Sequence, residues 1–279
     1  MHRILPSRAS RPRTVTSRNR RTLTRTLGVD LASLPKKTAA CIIEWGHDSV
    51  TVAAPVLGLT NRDIVALADD CQAIGIDSPF GWPLPFVDFL KQAHAPCRGR
   101  TFIDSTDPMY LRALRYRRTD LHVWQKHNLV PLAVAADKIA MPAMRCVELL
   151  DLLRVTDRSG DDRVWEVYPA VALKDWGFDA KGYKSREGNP PLGEQVRARL
   201  LEAMCLACPW LRLTIEPDSP FVRSDHAFDA LIASLVTRAA YLDRTERPTD
   251  DEVEIAKLEG WIAVPDKDCL GTLHDFRAT

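Results

Sequence analysis

The sequence predicts an α/β fold in which a mixed five-stranded sheet is flanked by helices. Three short β-prone runs, joined by links of hairpin length, predict an antiparallel meander. A helix and a fourth apolar run follow, and a strand that is reached through a crossover helix lies parallel to the first. A fifth β-prone run comes much later in the chain. The order of these elements predicts helical insertions after the fourth and the fifth strands.

The first four strands are marked by apolar and β-branched runs that turn residues separate. The first run covers about 22–31, the second 38–45 and the third 50–56. Residues 60–63 have the sequence of a capping box, which begins a helix. The fourth run, 73–81, is interrupted by a Ser-Pro pair.

The helical insertion after the fourth strand covers about 84–160. Within it, a long helix is expected to begin at Asp107-Pro108, because proline suits the first turn of a helix, and to continue through Lys126. The fifth strand follows at 163–169. A second insertion, about 170–223, precedes the last long helix.

The composition predicts one domain with a basic extension before it. We expect the domain to cover 25–268, with 1–24 as a disordered extension and 269–279 as a tail. Residues 1–26 contain eight arginines and no acid, so the net charge of +1 leaves the remaining chain near −7. The folded part is therefore mildly acidic, and its charge gives no argument for nucleic-acid binding.

Cysteine use and hydropathy predict where the protein is found. The seven cysteines are scattered and odd in number, which favours a reducing compartment. No run reaches the roughly 18 apolar residues that a membrane span needs. We therefore expect a cytoplasmic protein that does not enter the membrane.

The last long helix, about 224–242, contains the strongest candidate site residues. Ser224 is expected to cap this helix, and an acid such as Asp225 suits its first turn. His226 and Asp229 are three residues apart, so their side chains share one face of the helix. This face can help to bind a metal if other carboxylates approach it. A solvated first turn is the other interpretation of the pattern.

Two predicted strands end in the same way, with an aspartate after a buried apolar run. Asp30 ends the first strand and Asp77 the fourth, so both are expected at the carboxyl edge of the sheet, where ligands bind in open α/β folds. Glu166 lies in another apolar run, on the fifth strand. Carboxylates in such positions are costly unless they are paired or bound to metal. With Asp229, they form a set of hard oxygen donors that suits Mg²⁺ or Mn²⁺.

Five short motifs with acidic or basic residues follow one another along the chain. They are Gly28-Val29-Asp30-Leu31-Ala32, Gly75-Ile76-Asp77-Ser78-Pro79-Phe80-Gly81, Arg117-Arg118-Thr119-Asp120, Glu166-Val167-Tyr168-Pro169 and Ser224-Asp225-His226-Ala227-Phe228-Asp229-Ala230-Leu231. In this order they resemble a predicted ribonuclease H-like nuclease family, the domain of unknown function family 429. The last helix also resembles the final catalytic helix of RuvC-type Holliday junction resolvases. The resemblance covers about residues 26–266 and implies a ribonuclease H-like fold.

The resemblance implies a metal-dependent nuclease that hydrolyses phosphodiester bonds with two Mg²⁺ or Mn²⁺ ions about 4 Å apart. Asp30 would bridge the two ions, while Asp77 and Asp229 would each complete the coordination of one. His226 would bind metal or carry a proton, since its ordinary pKa lies near neutrality. Glu166 is not part of the resolvase pattern. It could be an additional ligand, a replacement for another ligand or a more distant acid.

Further residues are assigned supporting roles. Those expected to bind substrate are Arg117, Arg118, Asp120 and Lys126. A solvated, charged helix face is the other interpretation of the basic residues in this group. Asp225 and Tyr168 are expected to support the metal ligands from neighbouring positions.

Two other functions compete with the nuclease prediction. A non-catalytic protein on the same fold could bind a nucleotide or a partner. An actin-like or sugar-kinase-like phosphotransferase would need glycine-rich phosphate loops, which the 13 glycines of this chain do not form. The expected partners are a nucleic acid or nucleotide substrate and, by analogy with the resolvases, a second copy of the chain.

Overall fold

The structure is a computed structural model that describes residues 23–94, 106–160, 163–184 and 190–275. The basic extension predicted before the domain lies outside the described residues except for its last two positions. The described part of the chain forms a mixed α/β domain in which helices cover both faces of one sheet.

The sheet contains six strands, one more than the sequence predicts. They are β1 (Thr24–Asp30), β2 (Ala39–Trp45), β3 (Val50–Val52), β4 (Val56–Leu57), β5 (Ala73–Asp77) and β6 (Val164–Glu166). The order is β3-β2-β1-β5-β6, and β4 pairs separately with β2. The run predicted as the third strand is thus two strands, because Pro55 lacks the N–H that would continue the ladder between them.

The pairs that β1 forms agree with the predicted topology, and the pairing of β6 was not predicted. β1 is antiparallel to β2 and parallel to β5, and β5 is parallel to β6. The segment between β1 and β2 includes a short 3₁₀ turn at Pro35–Lys37. The crossover from β4 to β5 contains the predicted helix, and Thr60 caps it through a reciprocal pair of hydrogen bonds with Asp63.

Ten α-helices are present in the described ranges. They are α1 (Asn61–Ala68), α2 (Leu84–Ala93), α3 (Pro108–Arg115), α4 (Arg118–His127), α5 (Ala140–Leu152), α6 (Pro169–Asp175), α7 (Pro190–Ala207), α8 (Pro220–Arg223), α9 (Asp225–Tyr241) and α10 (Val253–Glu259). Within those ranges, no helix is both long enough and apolar enough to cross a membrane.

The long helix predicted to begin at Asp107-Pro108 is divided into α3 and α4. Tyr116 and Arg117 between them have extended backbone conformations. The carboxylate of Asp120 accepts a hydrogen bond from the backbone N–H of Arg117, at 2.9 Å, and so caps a new helix. The prediction of one continuous helix was wrong because the sequence pattern did not reveal this internal cap.

The C-terminal part of the domain extends past the boundary predicted at 268. Residues 260–265 approach β6 through a single parallel bridge between Ile262 and Glu166. Cys269 and Leu273 are fully buried in the core, on either side of a 3₁₀ turn at Leu270–Thr272. Residues 269–275 therefore belong to the packed domain.

The helix α9 is the central helix of the fold, and it lies across β1, β2 and β5. Every residue from Ala227 to Ala240 is buried, because α6, α7 and α8 cover the side of α9 that faces away from the sheet. Two glycines at paired positions, Gly28 on β1 and Gly75 on β5, allow α9 to approach the sheet closely. A Cβ atom on Gly28 would lie only 2.1 Å from the backbone nitrogen of Ser234.

Replacing Gly28 with alanine is expected to lower the free energy of unfolding by about 3 kcal/mol, because the new methyl group would push α9 away from β1. Chemical denaturation of the variant and the wild type measures the loss. Gly271→Ala is the matched control, since no atom lies within 4 Å of the position that its Cβ would take. Equal stability of Gly28→Ala and wild type would contradict the close approach.

Candidate metal centre

Three aspartates from β1, β5 and α9 come together at one edge of the sheet. Asp30 and Asp77 are paired in register at the carboxyl ends of β1 and β5. They lie two residues after Gly28 and Gly75, so strand alternation puts them on the face that α9 covers. Asp229 lies in the second turn of α9. One carboxylate oxygen from each aspartate lies within 4.8 Å of those of the other two.

His226 contacts the cluster from the first turn of α9. Its Nδ1 lies 2.6 Å from Oδ2 of Asp30, and the carboxylate requires this nitrogen to donate the hydrogen bond. The hydrogen bond raises the pKa of His226 and outweighs the opposing effect of its partial burial. Ser224 caps the helix as predicted, because its Oγ accepts a hydrogen bond from the backbone N–H of Ala227.

Two residues that the sequence analysis did not single out bind Asp229. The hydroxyl of Tyr183 donates to Oδ1 at 2.9 Å, and the ammonium of Lys184 lies 2.9 Å from Oδ2. The buried guanidinium of Arg197 holds this segment by donating to the carbonyl oxygens of Tyr183 and Val222. In the sequence, Tyr183 and Lys184 follow Gly182 in a predicted loop. A loop has no periodicity, so their contact with Asp229 could not have been predicted from their spacing.

The cluster has more negative charge than its neighbours neutralise. Burial raises the pKa of Asp229 to about 6, although Lys184 acts in the opposite direction. Burial also raises the pKa of Asp77 well above its ordinary value; Lys184 opposes this shift, and Asp30 and Asp229 add to it. Three oxygen donors that repel one another in this way fit a divalent cation such as Mg²⁺ or Mn²⁺.

Relative to Asp229→Asn, the stability of the metal-free wild type is expected to fall as the pH rises from about 4 to 7. Asp229 has a folded pKa of about 6, above the roughly 3.9 of an unfolded aspartate, so the folded state binds more protons in this range. The raised pKa of His226 has the same sign, since its stabilisation is lost as pH passes through the folded value. Urea unfolding with a chelator, at several pH values, measures the slope. A stability that rises over this range in the wild type, relative to Asp229→Asn, would contradict the prediction.

Glu166 lies outside the three-aspartate cluster and is paired with Arg117. Both of its carboxylate oxygens accept hydrogen bonds from the guanidinium of Arg117 at 2.7 Å. The same guanidinium donates to both oxygens of Asp120, and Phe80 donates its backbone N–H to Glu166. Arg117, Asp120 and Glu166 are each at most 2% exposed. This placement favours a structural role for Arg117 and Asp120 over the substrate-binding role expected from the sequence.

The remaining predicted residues lie around the cluster or away from it. Arg118 is exposed and lines a groove of about 500 Å³, together with Leu84 and Tyr116. Lys126 forms an ion pair with Glu246 at 2.6 Å.

Burial raises the pKa of Tyr168 to about 12, and the charge of Asp77 adds to the shift, so the Tyr168 hydroxyl near the cluster stays protonated. Asp225 is half-buried in the first turn of α9.

The model of the family described as "Protein of unknown function (DUF429)" matches residues 28–254. No curated protein and no solved structure matches the chain. The family resemblance inferred from the five motifs is confirmed at this level.

Proposed function

The chain belongs to the DUF429 family, and we propose that it is a metal-dependent hydrolase of phosphodiester bonds, a nuclease with a ribonuclease H-like fold. The observation that carries this proposal is the meeting of Asp30, Asp77 and Asp229 at the carboxyl edge of two parallel strands. The order of β1 to β4, α1 and β5 supports the fold assignment, since β5 lies beside β1 and parallel to it.

The three aspartates are proposed to hold the divalent ions. Asp30 would be shared by the ions, and Asp77 and Asp229 would each help to hold one of them. When bound, two such ions lower the pKa of an attacking water and stabilise the leaving oxygen of the phosphodiester. Mg²⁺ and Mn²⁺ both prefer the carboxylate oxygens that these residues supply.

His226 is proposed to transfer protons, and Lys184 is proposed to bind the substrate phosphate. His226 is about one-third exposed and holds a proton on Nδ1 toward Asp30, so it can exchange protons with solvent beside the reacting centre. The side chain of Lys184 is 56% exposed although its ammonium contacts Asp229. It can therefore turn toward an anionic phosphate when a metal takes over the charge of Asp229.

A cleavage screen with Mg²⁺ and Mn²⁺ tests the proposal on labelled single-stranded, duplex and branched DNA and RNA, and on small nucleotide diesters. We expect metal-dependent cleavage by the wild type. The cleavage rate of Asp229→Asn should be more than about 100-fold lower than that of the wild type. This loss exceeds the 10- to 100-fold effect of residues that only orient metal ligands. Asp70→Asn is the matched control, because Asp70 is exposed near the opposite end of β5.

Two outcomes would contradict the nuclease proposal. Cleavage that persists in Asp229→Asn would indicate a contaminating enzyme or a different site. Calorimetric binding of Mn²⁺ that is lost in Asp30→Asn, without cleavage of any substrate in the screen, would favour a non-catalytic nucleotide-binding or partner-binding protein.

A further inference from the structure

A second group of potential metal ligands shares no residue with the three-aspartate cluster. His122 and His127 belong to α4, and Glu246 lies in the segment after α9. The Nε2 atoms of the two histidines lie 2.6 and 3.1 Å from the same carboxylate oxygen, Oε2 of Glu246. Two imidazole nitrogens and one carboxylate oxygen therefore lie within 4.8 Å of one another.

The surroundings hold these three side chains in place. The buried ring of His127 has its other nitrogen, Nδ1, 2.6 Å from a carboxylate oxygen of Asp175. In the metal-free protein Nε2 of His127 donates to Oε2 of Glu246, so an ion that binds here would displace that proton. A carboxylate beside the other ring nitrogen is the neighbour that metal-binding histidines usually have. The backbone of Glu246 is fixed on both sides, since its N–H donates to Val264 and its carbonyl accepts from the indole of Trp261.

The donor set and its exposure match a zinc-class ion better than Mg²⁺. Imidazole nitrogen is a borderline donor that Zn²⁺ prefers, and three protein ligands leave a fourth position for water. Bonds of about 2.0–2.1 Å in tetrahedral geometry would place the donor atoms about 3.3 Å apart. From the present separations of 2.6 and 3.1 Å, Nε2 of His122 would move from Oε2 of Glu246 by about 0.7 Å and Nε2 of His127 by about 0.2 Å. His122 and Glu246 are about one-fifth exposed, which gives an ion access.

Lys126 is the cation that competes for this position. Its ammonium lies 2.6 Å from Oε1 of Glu246, the oxygen that does not face the histidines. The side chain of Lys126 is 56% exposed and can turn into solvent when an ion arrives.

We propose that His122, His127 and Glu246 bind one Zn²⁺ ion, which fastens α4 to the segment after α9. In this proposal α4 is held at both ends, because it begins at the buried Arg117–Asp120–Glu166 network and the ion would hold the other end of the same helix. It requires none of the aspartates of the candidate metal centre, so it does not depend on the proposed nuclease activity.

Zinc titration of the metal-stripped full-length chain, in competition with a chromophoric chelator and with excess Mg²⁺ present, tests the proposal. We expect one equivalent of Zn²⁺ to bind and to raise the Tm. His122→Ala should weaken the binding at least tenfold and remove the rise in Tm, whereas His47→Ala, an exposed histidine in a turn, should leave both unchanged. Asp30→Asn should also retain the zinc equivalent.

Three results would overturn the assignment. They are the absence of zinc binding by the wild type, zinc binding that His122→Ala leaves intact, and zinc binding that is lost in Asp30→Asn. If circular dichroism shows that His122→Ala does not fold, Glu246→Gln replaces it as the nearly isosteric variant. Substitution with Co²⁺ gives a second readout, since a four-coordinate site with nitrogen donors should give an intense visible absorption that Glu246→Gln reduces or removes.

Discussion

Replacing Asp229 with asparagine is expected to abolish divalent metal binding at the three-aspartate cluster and to stabilise the metal-free protein. Burial raises the pKa of Asp229 from 3.8 to about 6, so its ionised form costs the fold up to about 3 kcal/mol at pH 7. Asparagine removes that charge at nearly constant shape. The NH₂ group of the asparagine would face the ammonium of Lys184, and this unfavourable contact offsets part of the stabilisation. We therefore expect the variant to be more stable by about 1–2 kcal/mol.

Urea unfolding in the presence of a chelator measures the stability of this variant, and Mn²⁺ calorimetry measures its binding. The gain in stability should be larger near pH 7 than near pH 5, because Asp229 is partly protonated in the wild type at the lower pH. Asp70→Asn should change neither quantity. A variant that loses stability in chelator would show that Asp229 is a supporting residue of the fold and not a strained ligand.

Replacing Arg117 with methionine is expected to destabilise the protein by about 3–5 kcal/mol, the largest stability loss that we predict. The substitution leaves Glu166 and Asp120 buried without their shared cation. Burial already raises the pKa of Glu166 even with the arginine in place, because Arg117 compensates only part of the desolvation. Without Arg117, the free-energy cost of burying the two carboxylates is no longer offset by that arginine.

Chemical denaturation of Arg117→Met at neutral pH measures this loss. Arg118→Met is the matched control, since Arg118 is the exposed neighbour in the chain, and its effect should stay within about 0.5 kcal/mol. Adding Glu166→Gln to Arg117→Met should recover part of the stability, because one of the two unpaired charges is then absent. A double variant that is less stable than the single variant would contradict this account of the network.

Much of the candidate metal centre could be predicted from short patterns in the sequence. Asp30 and Asp77 each end an apolar run, and a crossover helix makes the two strands parallel, so their carboxyl ends meet at one edge. Helical spacing places His226 and Asp229 on one face of α9. These predictions depend on periodicity and on chain connectivity, both of which are local properties of the sequence.

The structure corrected the sequence analysis where a boundary depends on a single interaction. Pro55 divides the predicted third strand into β3 and β4, and the cap formed by Asp120 divides the predicted long helix into α3 and α4. The packed domain continues past 268 because the side chains of Cys269, Leu270 and Leu273 are buried in the core.

The sequence by itself determined the antiparallel start of the sheet, the crossover that makes β5 parallel to β1, and the acids that end β1 and β5. Only the tertiary structure decided the partners of the buried charges. Glu166 pairs with Arg117 across 49 residues, and Asp229 binds Tyr183 across 46 residues. The physical reason is that a buried charge must be paired, and its partner comes from whichever segment packs against it. The separation of such segments along the chain follows no regular pattern, so the sequence alone does not identify the partner.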